Sequence, residues 1–290
     1  MEYFHSEILI QAILNGLIMG GIYALVAGGL TLIFGVMGII NAAHGEFLMV
    51  SMFTALFAVN QIGLSPYVSI LLATPLMFLL GLIIFRTFIS PVLNAPEINQ
   101  VLLTVGISLL LQNVALLVFG GDYQSLKSQL SEETIPFMGA IITVPQAFAF
   151  VLSLIATAAY YFVLRCTDFG IAIRAVAQNR KGALLVGINV HRVYMLAFAS
   201  GCACLGVAGP LLLPIYYVSP DVGSLFLLVA FVVVVMGGLG NFAGALLAGL
   251  IIGVVESVAG IFVSSSLAPI ANFSVFILVL IFRPSGLFRS

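Results

Sequence analysis

Reactive side chains are scarce in this chain. His5, His44 and His191 lie far apart in sequence, and no paired carboxylates or nucleophile motif accompany them. Cys166 follows an apolar run, while Cys202 and Cys204 lie inside one; without metal-like spacing they read as packing residues. No G-x-x-x-x-G-K-[ST] phosphate loop is present, so the chain is not expected to hydrolyse ATP by itself. What remains is a set of polar groups placed in apolar sequence. Glu256, Asn15 and the pair Gln112-Asn113 interrupt long apolar runs, and His44 and Glu46 border another. Such groups are costly in lipid and usually face a bundle interior, which makes them candidates for a pathway. Hydrogen bonding between helices is the other reading for Glu256 and the amides, and a satisfied loop end the other reading for His44 and Glu46.

The elements that must hold these groups are membrane helices. Hydrophobic residues make up 62% of the 290 and charged residues 7%. A soluble domain carries about 25% charged residues, so neither a soluble globular fold nor disorder fits. A net charge of −1 offers no field for nucleic acid. The N-terminus, MEYFHSE, is acidic and no small-x-small site follows, so the first apolar run is expected to be retained. Five of the nine basic residues, Arg165, Arg174, Arg180, Lys181 and Arg192, cluster in and just before FGIAIRAVAQNRKGALLVGINVHR, the one long polar interval of the second half. A cationic segment between apolar runs is most simply an inside loop.

Apolar runs cover residues 8–40, 47–59, 67–85, 101–119, 144–164, 193–218, 224–263 and 267–282. A span needs about 20 residues, so the first run (about 50 Å as a helix) and the seventh (about 60 Å) are too long for one straight pass. With the basic loop and the C-terminal Arg283 and Arg289 both inside, an even number of crossings must separate them. The run 224–263 therefore crosses twice, turning inside at Gly237-Gly238-Leu239-Gly240-Asn241, or has a re-entrant first half. Continuing backwards places Arg86 and the stretch 41–46 inside, and the loop 120–143, with Lys127, Asp122, Glu132 and Glu133, outside. The expectation is one all-α polytopic domain over residues 1–290 with about nine transmembrane segments (8–10), some broken or re-entrant. Its N-terminus is outside and its C-terminus inside.

Small residues recur at helical spacing. Gly16, Gly20, Ala24 and Gly28 share one stripe; Gly240, Gly244 and Ala248 form another, with Gly249 and Gly253 beside it. Such stripes suit helix–helix contact. MGIINAAHG (37–45) and MGGLGNFAG (236–244) echo one another at two expected inner turns, as an internal repeat would. Pro210 and Pro214 are expected to kink the run 193–218.

The basic loop also has a pattern. Written as one helix over residues 171–186, Ile173, Val176, Ala177 and Leu184 share a face and Arg174, Gln178 and Lys181 the adjacent one, ahead of a stop at Gly187-Ile188-Asn189. Such a helix could lie on the membrane surface or dock in a groove of a soluble partner; a solvated connector is the plainer alternative.

The stretch FGIAIRAVAQNRKGALLVGINVHRVYMLAFA resembles the cytoplasmic coupling segment of LivH-type permeases, the membrane subunits of ABC importers for branched-chain amino acids. GLTLIFGVMGIINAAHGEFLMV (29–50) and VVVVMGGLGNFAGALLAGLIIGVVE (232–256) resemble that family's N-terminal and late glycine-rich signatures, in the family's order. The resemblance implies a multi-pass protein of a bacterial inner membrane with a coupling segment at 166–192 docked on a cytoplasmic ATPase. Arg174, Ala177, Asn179, Gly187 and Ile188 are placed at that contact. Implied partners are two ABC ATPase subunits, a second homologous permease and an extracytoplasmic substrate-binding protein, besides membrane lipid. No cofactor is expected in this chain, ATP and magnesium belonging to the ATPases. Urea or short-amide import by close relatives is an alternative, and an ion-coupled secondary transporter or channel is the rival from another class. That rival calls for ionisable residues at the membrane midplane, where Glu256 is nearly alone.

Overall fold

A computed structural model describes residues 2–126, 133–137, 139–262, 264, 267–283, 286 and 287, with residues 2–6 described by their backbone. Lys127, Glu132, Arg289 and the side chain of His5 lie outside the described residues. The chain forms α1 (Glu2–Met37), α2 (His44–Ile62), α3 (Ile70–Ile84) continued by a π-helical turn (Phe85–Ile89) into α4 (Ser90–Val92), α5 (Glu97–Phe119), α6 (Val144–Cys166), α7 (Asp168–Gln178), α8 (Arg180–Leu185), α9 (Val190–Leu212), α10 (Val222–Gly237), α11 (Phe242–Phe262) and α12 (Ala268–Phe282). Among the described residues, seven stretches are long and apolar enough to cross a membrane, and α10 and α12 are shorter apolar helices. Together they form the all-α polytopic bundle expected. The loop 120–143 adds a small hairpin, Thr134–Phe137 paired with Ala140–Thr143, that no residue pattern had pointed to.

α1, α2 and α9 form the interior, while α3, α5, α6 and α12 turn large side chains such as Leu71, Leu117, Phe162 and Ile281 outward. Glycine sets the distances between interior helices. An added Cβ at Gly20 would stand 2.8 Å from the Gly249 carbonyl, and one at Gly249 would stand 2.7 Å from the Ala24 nitrogen. The stripe Gly16–Gly20–Ala24 thus packs on Gly249, Gly253 and Val254 of α11, backbone to backbone, where small residues alone permit such approach. Gly28 faces the Phe242 ring, Gly240 faces Gly35 of α1, and Gly244 packs on Gly237 inside the α10–α11 corner.

The corner itself is the turn expected at 237–241. Gly238 and Gly240 take φ of 96° and 84°, and Asn241 Oδ1 caps α11 by accepting from Gly244 N at 3.0 Å. Pro210 lies inside α9, which stops two residues later, ahead of Pro214.

Two expectations change. Residues 41–46 are not an inner turn. After Met37 the chain doubles back along α1, so that the His44 ring lies 3.0 Å from the Val26 carbonyl, eleven residues before the end of α1 and about 16 Å up its axis. Asn41, His44 and Glu46 are all buried, and α2 starts at that depth. The stretch 37–45 is therefore a break inside the bundle, whereas its echo at 236–244 turns at the bundle's end. The second change is in the basic loop, where the single helix over 171–186 is two, parted at Asn179, whose φ of −153° and ψ of 96° are extended.

The glycine contact is testable. Gly249→Ala should destabilise the protein by about 1–3 kcal/mol through forced separation of α1 and α11. Gly106→Ala on α5, whose added Cβ meets nothing within 4 Å, should leave the thermal midpoint in detergent unchanged or higher. Equal midpoints for both variants would show that the close approach does not limit stability.

Candidate functional site

At one end of the bundle, residues 166–192 fold as short capped helices. Thr167 Oγ1 accepts from Gly170 N (3.3 Å) to start α7, Asn179 Oδ1 from Gly182 N (2.9 Å) to start α8, and Asn189 Oδ1 from Arg192 N (3.0 Å) to start α9. Gly187, at φ 84°, closes α8, with Ile188 N donating to the Ala183 carbonyl at 2.9 Å. Ile173, Val176 and Ala183 are buried against the bundle. Ala177 and Leu184, which a continuous helix would have put on the same face, are exposed.

The five residues placed at the coupling contact divide accordingly. Ala177 is exposed. Asn179 and Gly187 shape the segment, and Ile188 is half-buried. Arg174 turns back to donate to the Leu164 and Arg165 carbonyls, capping the C-terminal end of α6. What the segment presents outward is apolar. Leu184, Leu185 and Val186 are 55%, 88% and 77% exposed, at a tip flanked by Arg180 and Lys181. Sequence reasoning put Leu184 on the segment's apolar face but missed the tip, because one helix unbroken over 171–186 hides the break at Asn179 that turns the triplet outward.

The same end collects the basic residues. Arg180 reaches Asn94 Oδ1 (3.5 Å), next to α4, and the Phe85 ring beside Arg86 packs on the His191 ring at 5.5 Å. Leu287, four residues past Arg283, donates to the Met236 carbonyl at the α10 terminus (2.8 Å). Asp122 and Glu133 belong to the loop at the opposite end, where Gln11 grips the hairpin through two bonds to Ile141 (2.9 and 2.7 Å).

The polar candidates of the apolar helices fall into three places, and Asn113 is exposed on the outside of α5. His44 and Glu46 sit in the first turn of α2, which meets the first turn of α10: an added Cβ at Gly223 would stand 2.6 Å from both Glu46 Oε2 and the Gly45 carbonyl. Glu46 Oε1 accepts from Ser108 at 3.4 Å, and Ser219 Oγ donates to Asp221 Oδ1 at 2.5 Å just ahead of α10. The unwound backbone leading into α2 is served by Thr104 of α5, which accepts from Ala42 N (3.2 Å) and lies 3.2 Å from the Ile40 carbonyl. Asn15 and Glu256 line one cavity of about 500 Å³ among α1, α10, α11 and α12. There Glu256 accepts from Tyr23 Oη (3.2 Å) and from Asn272 Nδ2 (2.8 Å). Gln112 and Asn113 join neither group, and Asn113 bonds to its own helix at Leu109. Asn272, a lone amide in an apolar run, could have been found by the rule that found Asn15; Tyr23, 233 residues from Glu256, could not.

A bundle of apolar helices with a largely apolar cavity that holds Glu256 and Asn15, and a folded, apolar-tipped segment at one end, has the features of a transport permease. The family described as branched-chain amino acid transport system permease component matches residues 12–283, and the chain belongs to it. The chain is 32% identical to the high-affinity branched-chain amino acid transport permease protein LivH of Salmonella typhimurium, over 96% of this chain and 94% of that one. It is 29% identical to the permease protein BraD of Pseudomonas aeruginosa (99% and 96% covered), and 30% to a probable LivH of Methanocaldococcus jannaschii (88% and 83%). No solved structure matches it.

Thr104→Val removes the hydroxyl at constant shape and leaves the Ala42 N–H without that partner. At about 1–3 kcal/mol per buried unpaired group, a clear fall in thermal midpoint and faster amide exchange over residues 40–43 are expected, with Thr104→Ser restoring both. Unchanged exchange in Thr104→Val would mean that other groups hold the break.

Proposed function

We propose that this permease is the translocation subunit of an ABC importer for branched-chain amino acids in a bacterial inner membrane. Its membership of the family over residues 12–283 carries that reading. Sidedness is argued from charge: the end bearing Arg86, the loop 166–192 and Arg283 faces the cytoplasm, and the hairpin end with Asp122 and Glu133 faces outward. The N-terminus is then outside and the C-terminus inside.

Energy comes from two partner ATPases, which hold ATP and magnesium. The chain carries no phosphate loop of its own. The tip Leu184–Leu185–Val186 enters an apolar groove of an ATPase, with Arg180 and Lys181 at its polar rim. An exposed apolar anchor on a rigid, capped element is suited to a docking contact. Ala177, Asn179, Gly187 and Ile188 give that tip its shape, and Arg174 links it to α6, so that closure of the ATPases moves the bundle. A second permease completes the pathway, and a binding protein delivers substrate to the hairpin end. Alternating access between the two ends follows as rigid rocking of packed helices.

Purified from the membrane, the chain should bring with it two ATPase subunits and a sister permease, and the reconstituted complex should take up leucine only with ATP. Uptake by this chain alone without ATP would sink the importer reading. Leu185→Glu should leave the protein in the membrane, yet cut ATPase co-purification and uptake tenfold or more. Arg174→Glu should keep the ATPase bound while uncoupling hydrolysis from uptake. Normal uptake by both variants would remove the segment from force transfer.

A further inference from the structure

The cavity among α1, α10, α11 and α12 has an uneven chemistry. Its walls are largely apolar, with Met19, Phe226, Val229 and Phe273 among them, and among the described residues no Lys, Arg or His lines it. Yet it holds a carboxylate. Glu256 is oriented by one bond to each oxygen, from Tyr23 and from Asn272, and a carboxylate accepts more bonds than two. Asn272, 3% exposed, orients that carboxylate through its amide nitrogen. A carboxylate with unused acceptor capacity thus stands within a membrane bundle, where an uncompensated charge is costly. What it lacks is a cationic donor.

The rest of the cavity bears on the donor's identity. Asn15 lines the same space, and because its carbonyl oxygen accepts from Gln11 (3.1 Å), its N–H groups are the donors it has to offer. The Tyr216 hydroxyl is a further donor group on the lining. A carboxylate acceptor at Glu256, N–H donors at Asn15 and a largely apolar wall in one cavity match a zwitterion with a hydrocarbon side chain. A space of about 500 Å³ falls within the usual range for small-molecule sites.

We propose that this cavity is a substrate site within the permease. It takes the α-ammonium of an aliphatic amino acid at Glu256, its carboxylate at Asn15, and its side chain against Val229 and its neighbours. The proposal rests on the amino acid permease reading and adds to it a place and an orientation. It assigns discrimination for side-chain size to the membrane subunit as well as to the delivering protein.

The complete importer, reconstituted in vesicles with its binding protein, provides the test. Glu256→Gln, purified with normal amounts of ATPase, should lower leucine uptake at least tenfold. Val229→Phe, which fills the apolar wall, should lower uptake of leucine several-fold more than that of alanine. A variant that fails to assemble is bypassed by a measurement on the unaltered complex: a diazirine analogue of leucine, photolysed during turnover, should label peptides of α10, α11 or α12 that line the cavity, and excess leucine should compete. Wild-type uptake by Glu256→Gln, or labelling confined to other helices, overturns the proposal. So does loss of uptake on replacing sodium with choline, which would make Glu256 an inorganic cation site. Failure of the importer reading looks different, since the unaltered complex would then show no ATP-dependent leucine uptake.

Discussion

Every peptide group that a membrane protein takes out of its helices must find a partner within the protein, because lipid offers none. This chain meets that demand at a demanding place, the non-helical stretch between α1 and α2. That stretch climbs back into the bundle instead of turning at its end. Thr104 serves Ala42 and lies beside Ile40, and the His44 ring anchors on the Val26 carbonyl. Because the break is held at that depth, α2 begins inside the bundle and its first turn meets the first turn of α10. The packing of Gly45 on Gly223, and the burial of Glu46 beside them, follow from the same placement.

Much of the architecture was legible in the sequence, and the limits have physical causes. Basic residues cluster because charge settles topology, so the segment 166–192 and its end of the bundle could be read directly. The α10–α11 corner was legible because Gly238, Gly240 and Asn241 are turn and cap residues. The break at Asn179 was not, since the apolar spacing continues across it and an asparagine inside a helix looks the same in sequence as one that starts the next. The depth of residues 41–46 was hidden as well. Ala-Ala-His reads as a loop end, and the residue that makes burial tolerable, Thr104, lies on another helix. For the cavity, Asn15 and Glu256 could be singled out but not joined, because tertiary pairing between residues so far apart in sequence, as in the Tyr23–Glu256 bond, leaves no local signal.

The proposed docking segment and the proposed substrate cavity sit far apart yet share one helix. α1 carries Asn15, Met19 and Tyr23 to the cavity, offers Val26 to His44 at the break, and continues to Leu32 and Val36, which face Ile173 and Arg174 across a second cleft. A movement imposed on α7 is therefore felt by the helix that lines the cavity. No relay of flexible side chains has to be invoked.

The glycine contact between α1 and α11 has a mechanical consequence. Helices that meet through side chains can slide, since rotamers change to keep contact. Two helices whose backbones touch have no such lubricant, and they move as one bar or separate altogether. The cavity is bounded by that bar on one side and by α10 and α12 on the other, so its width is set by how those two swing against a stiff member.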